Sequence, residues 1–166
     1  SSSSAASDVY KRQDMETVDL LDVAKDCVER QKLNAQRSFI SLTYLGESAR
    51  VLGNRDQLDE LCQNLCDNAI RYNRPGGKVQ IITACTRDGH CTLTVKDNGI
   101  GIPKEAQTSV FERFYRVDKS RSKATGGTGL GLAIVKHIAR IHNARIKLDS
   151  VVDEGTTITV IFETAS

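Results

Sequence analysis

The sequence predicts a two-layer α/β sandwich in which a mixed β-sheet carries helices on one face. Two segments, 54–72 and 130–142, repeat apolar residues at helical spacing, and each precedes two short extended segments joined by a turn. Each helix has a single apolar stripe and therefore one face to bury, which a sheet can cover. With 166 residues, the chain has the size of one domain.

Residues 1–13 (SSSSAASDVYKRQ) are serine-rich, aperiodic and poor in large apolar groups. They read as a flexible linker or leftover sequence outside the fold, which leaves 14–166 as the domain. From residue 17, Leu20, Leu21, Ala24, Val28 and Leu33 recur at helical spacing, with Asp19 placed to cap the start. Residues 39–44 read as a strand and 50–52 as a short extended piece. Asn54 caps the next helix, with Gln57 three residues on in a capping-box position. Its apolar set is Leu58, Leu61, Cys62, Leu65, Ala69 and Ile70, and it stops at the turn residues Asn73-Arg74-Pro75-Gly76-Gly77. Residues 78–86 and 91–96 form a hairpin around Arg87-Asp88-Gly89. A glycine-rich turn at 97–103 leads into 104–125, which is polar and irregular apart from an aromatic patch at 110–115. The helix at 130–142 is entered through glycines, and the final strands, 144–150 and 156–162, pivot on Asp153-Glu154-Gly155.

The composition, 39% hydrophobic and 27% charged, is that of a globular chain. Net charge is +2, from 23 basic and 21 acidic residues, and gives no global reason to expect nucleic acid or acidic lipid as a partner. The longest stretch free of charge and strong polarity, 129–135, falls far short of the ~20 residues that span a bilayer. No signal-peptide core follows the start, so the piece reads as soluble and cytoplasmic, without direct membrane contact. Five cysteines, at 27, 62, 66, 85 and 91, contain no C-x-x-C pair and read as buried, reduced thiols. A zinc site at Cys62 and Cys66 would need further ligands, and His90 is the one candidate to supply one. His137 and His142 read as helix-surface residues.

Three motifs carry chemistry. At ~100° per residue, Asn64, Asn68 and Arg71 share one edge of the apolar stripe, with Tyr72 just inside it. An amide oxygen is a neutral hard ligand suited to Mg²⁺ when phosphates supply the negative charge, and Arg71 could meet the same phosphates. The plain alternative is a solvated helix edge. Second, Asp97-Asn98-Gly99-Ile100-Gly101-Ile102-Pro103 ends a strand. It is either a simple turn or a carboxylate able to accept from an exocyclic amine such as that of adenine, with glycines letting a flat ligand approach the backbone. Third, Gly126-Gly127-Thr128-Gly129-Leu130-Gly131-Leu132 opens a helix. Its G-x-G-x-G spacing is neither a dinucleotide fingerprint nor a Walker loop. It leaves either a flexible hinge or a helix N-terminus whose N–H groups favour anions. Between the second and third motifs, 104–123 holds six basic and three acidic residues, a long segment that reads as a lid bringing Arg116 onto a terminal phosphate.

Together these motifs resemble the catalytic, ATP-binding domain of bacterial two-component sensor histidine kinases. The similarity runs over roughly 18–162, with an N box at 64–72, a first glycine box at 97–101, an F box at 111–116 and a second glycine box at 127–132. The resemblance implies the gyrase/histidine-kinase type of fold and an ATP site between the two long helices. It implies that Asn68 holds Mg²⁺ with help from Asn64, and that Arg71 and Tyr72 face the phosphates. Asp97 would read the adenine amine, with Gly99, Gly101, Ile102 and Leu132 lining the base pocket. The backbone of Thr128, Gly129 and Leu130 would hold phosphates, with Gly127 and Gly131 beside them in the nucleotide-binding set, and Arg116 would reach the γ-phosphate. Arg71 replaces the lysine more often found there, and Asn73-Arg74 stands where a small hydroxyl residue is usual.

The resemblance further implies transfer of the γ-phosphoryl group to a histidine on a dimerisation/phosphoacceptor domain, with a response regulator as indirect partner. His90, His137 and His142 lie in no His-Glu/Asp motif, so the phosphoacceptor belongs elsewhere and a monomer is expected for this piece. Two alternatives are an ATP hydrolase of the same superfamily and a nucleotide-dependent binding module without phosphotransfer. The hydrolases carry a glutamate base at the position of Asn64, and an amide cannot accept a proton from water.

Overall fold

The computed structural model describes residues 15–107 and 131–163. Its elements are β1 (Glu16–Asp19), α1 (Leu20–Arg37), β2 (Ser41–Gly46), β3 (Arg50–Gly53), α2 (Arg55–Arg71), β4 (Lys78–Cys85), β5 (His90–Asp97), α3 (Lys104–Gln107), α4 (Gly131–Ile141), β6 (Arg145–Val151) and β7 (Gly155–Glu163). Five strands form one mixed sheet in the order β2-β4-β5-β7-β6, while β1 and β3 pair separately. β2 runs parallel to β4, and the remaining neighbours are antiparallel.

Alternation along the strands sets the layers. Val79, Ile81 and Thr83 of β4, Cys91, Leu93 and Val95 of β5, and Ile158, Val160 and Phe162 of β7 are buried on one face. Against that face pack Leu20, Val23, Ala24 and Cys27 of α1, Leu58, Leu61, Leu65 and Ala69 of α2, and Val135 and Ile138 of α4, in a single core. This is the expected two-layer sandwich, a mixed sheet with helices on one face.

Local signals explain most boundaries. The Asp19 carboxylate accepts from Leu21 N at 3.0 Å and starts α1. Asn54 Oδ1 accepts from Gln57 N at 3.0 Å and starts α2. The turn after α2 is pinned by Asn73, buried at 7% exposure, whose Nδ2 donates to Lys78 O.

Four expectations are corrected, and one strand was not foreseen. The first helix begins at Leu20 behind its Asp19 cap, as expected, but residues 16–19 before it form β1, paired with β3. Leu20 and Ala24 are buried as expected and the stripe continues through Val23 and Cys27, whereas Leu33, roughly 140° around the helix from Leu20, is 65% exposed. β2 starts at Ser41, because Phe39 takes φ 58°, outside the extended region. The capping box is only half made: Gln57 Oε1 is buried without a partner among the described residues, and Asn54 N donates instead to His142 Nε2 at 3.0 Å. His142 is therefore no surface residue; it is 9% exposed, with its Nδ1 2.8 Å from Ile138 O.

The thiols also depart from expectation. Cys85 and Cys91 are register partners across β4 and β5, 4.1 Å apart at Cα, and are joined in a disulfide. That is the closer of the two antiparallel pair geometries, and a sequence separation of six conceals it. Cys27, Cys62 and Cys66 are free and buried.

Candidate functional site

The polar residues of the N-box segment lie where α2 rolls from core to surface. Leu65, Ala69 and Ile70 are buried, and Asn64, Asn68, Arg71 and Tyr72 are half-buried beside them. Asn68 Nδ2 donates to Asn64 O at 3.0 Å, one turn back along the helix. Asn64 Nδ2 is buried without a partner among the described residues, and such a donor carries a desolvation cost until something accepts from it. Arg71 pairs with Asp67 at 3.0 Å, an i,i+4 contact within the same helix. Tyr72, expected just inside the apolar stripe, is the C-cap of α2, and its carbonyl accepts from Ile100 N at 3.1 Å. Asn64 also borders a cavity of about 280 Å³ shared with Arg30, Asp56, Asp59, Glu60 and Gln63.

Asp97 ends β5, and its Oδ1 accepts from Gly99 N at 2.8 Å and from Thr156 N at 3.3 Å. Burial outweighs those two hydrogen bonds and raises its pKa to about 6. The glycines that follow are sterically required. A Cβ on Gly99 would stand 2.5 Å from Tyr72 O. Gly101 has φ +75°, and a Cβ there would stand 2.2 Å from Val151 O. Ile102 is buried at 9% exposure, and its N–H donates to Ser150 Oγ at 2.7 Å.

Three side chains that sequence reading missed complete this end. Ser150 Oγ accepts from Ile102, lies 3.0 Å from Gly155 O and 2.8 Å from Thr156 Oγ1. One arrangement satisfies all three contacts: Ser150 donates to the Gly155 carbonyl and accepts from Thr156. Gln107 Nε2 donates to Ile102 O at 2.9 Å and Ser150 O at 3.1 Å. The sequence signal for Ser150 and Thr156 was confined to their places flanking the 153–155 pivot; nothing local tied them to Asp97. Arg74, to which no role was attached, pairs with Asp153 at 2.6 Å and so links the α2 exit to the same pivot.

The structure thus brings the Asp97 turn to the C-terminal end of α2, through Tyr72 and Ile100. Leu132, in the first turn of α4, is half-buried and packs against the core. Gly131 begins α4, whereas Arg116, Gly127, Thr128, Gly129 and Leu130, with the aromatic patch and the lid segment, lie outside the described residues.

The histidine kinase-, DNA gyrase B- and HSP90-like ATPase family model matches residues 53–166, which include α2, the Asp97 turn and the glycine-rich segment. The chain belongs to this family. Within it, the chain is 47% identical over 148 residues to the sensor-like histidine kinase SenX3 of Mycolicibacterium smegmatis, covering 89% of this chain and 38% of that protein. It is 39% identical over 149 residues to the sensor histidine kinase YkoH of Bacillus subtilis, covering 90% of this chain and 32% of that one. Among solved structures, the mycobacterial sensor histidine kinase MprB superposes with a TM-score of 0.77 at 31% identity, over 90% of this chain and 97% of that one. The relatives are sensor histidine kinases, and the chain spans little more than a third of the first of them. Membership of the histidine kinase-like ATPases makes this a nucleotide-binding domain, and the similar chain in MprB has the same fold over nearly its whole length.

Proposed function

We propose that this chain binds Mg-ATP between α2 and the Asp97 turn and presents its γ-phosphoryl group to a histidine on a separate dimerisation/phosphoacceptor domain of a parent kinase. The observation that carries the reading is Asp97, a half-buried carboxylate with both backbone donors on Oδ1. Oδ2 accepts from none of the described residues, which leaves it for an exocyclic amine such as that of adenine. Gly99, Gly101, Ile102 and Leu132 give the base an apolar bed with no side chain over the backbone at the glycines. Asn68, with its Nδ2 committed to Asn64 O, keeps its Oδ1 for a hard cation.

The residues fit Mg²⁺ only in company with a nucleotide. Among the described residues no three His, Cys, Asp or Glu side chains group to hold a metal, so phosphates would supply the negative charge while Asn68 and Asn64 supply neutral oxygens. The ion would neutralise charge on the phosphate oxygens when bound. Arg71 and Tyr72 would orient the phosphates, with Arg116 and the backbone of 127–131 completing the set. A site made of amides, N–H groups and arginines works by positioning and charge neutralisation, which suits phosphoryl transfer to an acceptor supplied by another domain. Hydrolysis would require a base where Asn64 stands.

On this reading the domain acts in the cytoplasm, where ATP is, as a monomer when separated from the rest of its kinase, and a response regulator receives the phosphoryl group second-hand. No described helix is long and apolar enough to cross a membrane. Calorimetric titration with ADP, with and without Mg²⁺, tests the site: saturable binding that weakens without metal supports it, and absence of binding by the folded chain overturns it. Labelled ATP incubated with the chain and a phosphoacceptor domain then tests transfer. Label appearing on histidine supports the kinase reading, and release of free phosphate by the chain alone favours the hydrolase.

A further inference from the structure

The Cys85–Cys91 disulfide stands where a staple gains least. It links residues six apart in strands that are already in register from Val79 opposite Asp97 to Cys85 opposite Cys91. Just beyond it the turn closes on its own backbone: Thr86 N donates to His90 O at 2.7 Å, and Gly89 N to Thr86 O at 3.3 Å. The stabilisation that a disulfide draws from loop closure grows with the loop, so this short one lies at the low end.

The two sulfurs are also unequal. Cys91 is fully buried, while Cys85 is half-buried and its sulfur makes an exposed contact with the connection between β2 and β3. Each sulfur has a backbone carbonyl of that stretch within reach: Cys85 Sγ is 3.8 Å from Ser48 O, and Cys91 Sγ is 3.7 Å from Arg50 O. A disulfide sulfur has no proton to give, whereas a thiol is a weak donor. Acceptors for the dithiol are therefore in place in the same arrangement that holds the disulfide.

We propose that Cys85 and Cys91 form a reversible thiol–disulfide exchange site, entered at Cys85 by small thiols and disulfides of the glutathione class, whose dithiol form is held by Ser48 O and Arg50 O. In reduction, an external thiolate attacks Cys85 Sγ, the bond between the two cysteines breaks, and Cys91 leaves as a thiolate that takes up a proton. A second external thiolate attacks the external sulfur of the mixed disulfide and releases Cys85, which is protonated in turn. Two external thiols thus give up two electrons and become one disulfide. Oxidation by a small disulfide is the same sequence reversed. What changes in the fold is the tether: the hairpin end is joined strand to strand when oxidised, and hydrogen-bonded to the chain that leads through β3 into α2 when reduced. The reversibility rests on the cytoplasmic reading above, because lasting disulfides are rare in that compartment and those that form there are transient.

The test is incubation of the native chain, purified without reductant, with reduced and then with oxidised glutathione. Each step is followed by acid quenching, alkylation in denaturant and peptide mapping. Trypsin cuts between the two sulfurs at Arg87, leaving Cys85 in the peptide 79–87 and Cys91 in 88–96. The expected result is a linked pair at the start, loss of the link with two alkylated thiols after reduced glutathione, and return of the link after oxidised glutathione. Cys91→Ser should collect glutathione on Cys85, whereas Cys85→Ser should leave Cys91 unmodified in the folded chain, as its burial requires. A link that yields to glutathione only in urea makes the pair a structural staple and overturns the proposal. So do two free thiols after oxidised glutathione, or glutathione on Cys91 of the folded Cys85→Ser chain. None of these readouts needs a bound nucleotide, so this proposal and the kinase reading fail separately.

Discussion

The two ends of the candidate site are built on opposite principles. Around Asp97 each polar group is held by another element: Thr156 of β7 on its carboxylate, Ser150 of β6 under Ile102, Gln107 of α3 across both, and Tyr72 at the end of α2 on Ile100. On α2, by contrast, Asn68 and Arg71 bond to residues of the same helix, and Asn64 leaves a buried donor without a partner among the described residues. The first end is organised before a ligand arrives. The second is a helix face with spare hydrogen-bonding capacity, which a ligand's phosphates and metal would take up. The difference teaches that, on the proposed reading, an adenine end and a phosphate end place different demands on the fold, one tertiary and one helical.

The sharpest way to break this comparison is Asp97→Asn. It should weaken ADP roughly 10- to 100-fold, because a charged acceptor is replaced by a neutral one. The same change should stabilise the empty protein at pH 7 by up to about 3 kcal/mol, since the folded pKa of about 6 lies above the ordinary 3.8. The aspartate's contribution to stability is complete at the most acidic end and is lost as pH rises through 6, so urea unfolding of wild type and variant should converge at low pH. Loss of both binding and stability would mean that the carboxylate organises the turn and does not merely await a donor.

His142→Ala probes the joint behind the site, where α4 meets the start of α2. It leaves Asn54 N without its acceptor and should cost about 1–3 kcal/mol in urea unfolding. Burial lowers the histidine's pKa from 6.5, so its contribution is present above about that pH and is lost as pH falls through the lower folded value. The variant should lack that part of the acid-side decline. A smaller effect is expected at the receptive end: Asn64→Ala should leave stability unchanged or raise it by about 1 kcal/mol, while reducing the Mg²⁺-dependent part of ADP affinity. A marked loss of stability would erase the contrast between the two ends. The smallest effect belongs to Arg74→Ala, which removes an exposed ion pair with Asp153 and should cost less than about 1 kcal/mol in the same unfolding assay.

The architecture, the caps at Asp19 and Asn54, the hairpin, and the order of the motifs were determined by the sequence itself. Each depends on periodicity or on residues within a few positions, and those interactions are present in the chain whatever it packs against. The edge formed by Asn64, Asn68 and Arg71 was legible for the same reason, because helical geometry alone places them together. Tertiary structure decided the rest. Whether Leu33 or Cys27 faced the core depended on where the sheet lay. Gln57 lost its capping role to His142, 88 residues from the Asn54 it bonds, because a close tertiary acceptor displaced a local one. Cys85 met Cys91 through strand register. Thr156 and Ser150 reached the Asp97 turn only because β7 lies between β5 and β6 in the sheet. Contacts of this kind carry no local pattern: they arise when burial of apolar surface brings distant segments together, and polar groups then take the nearest partner available.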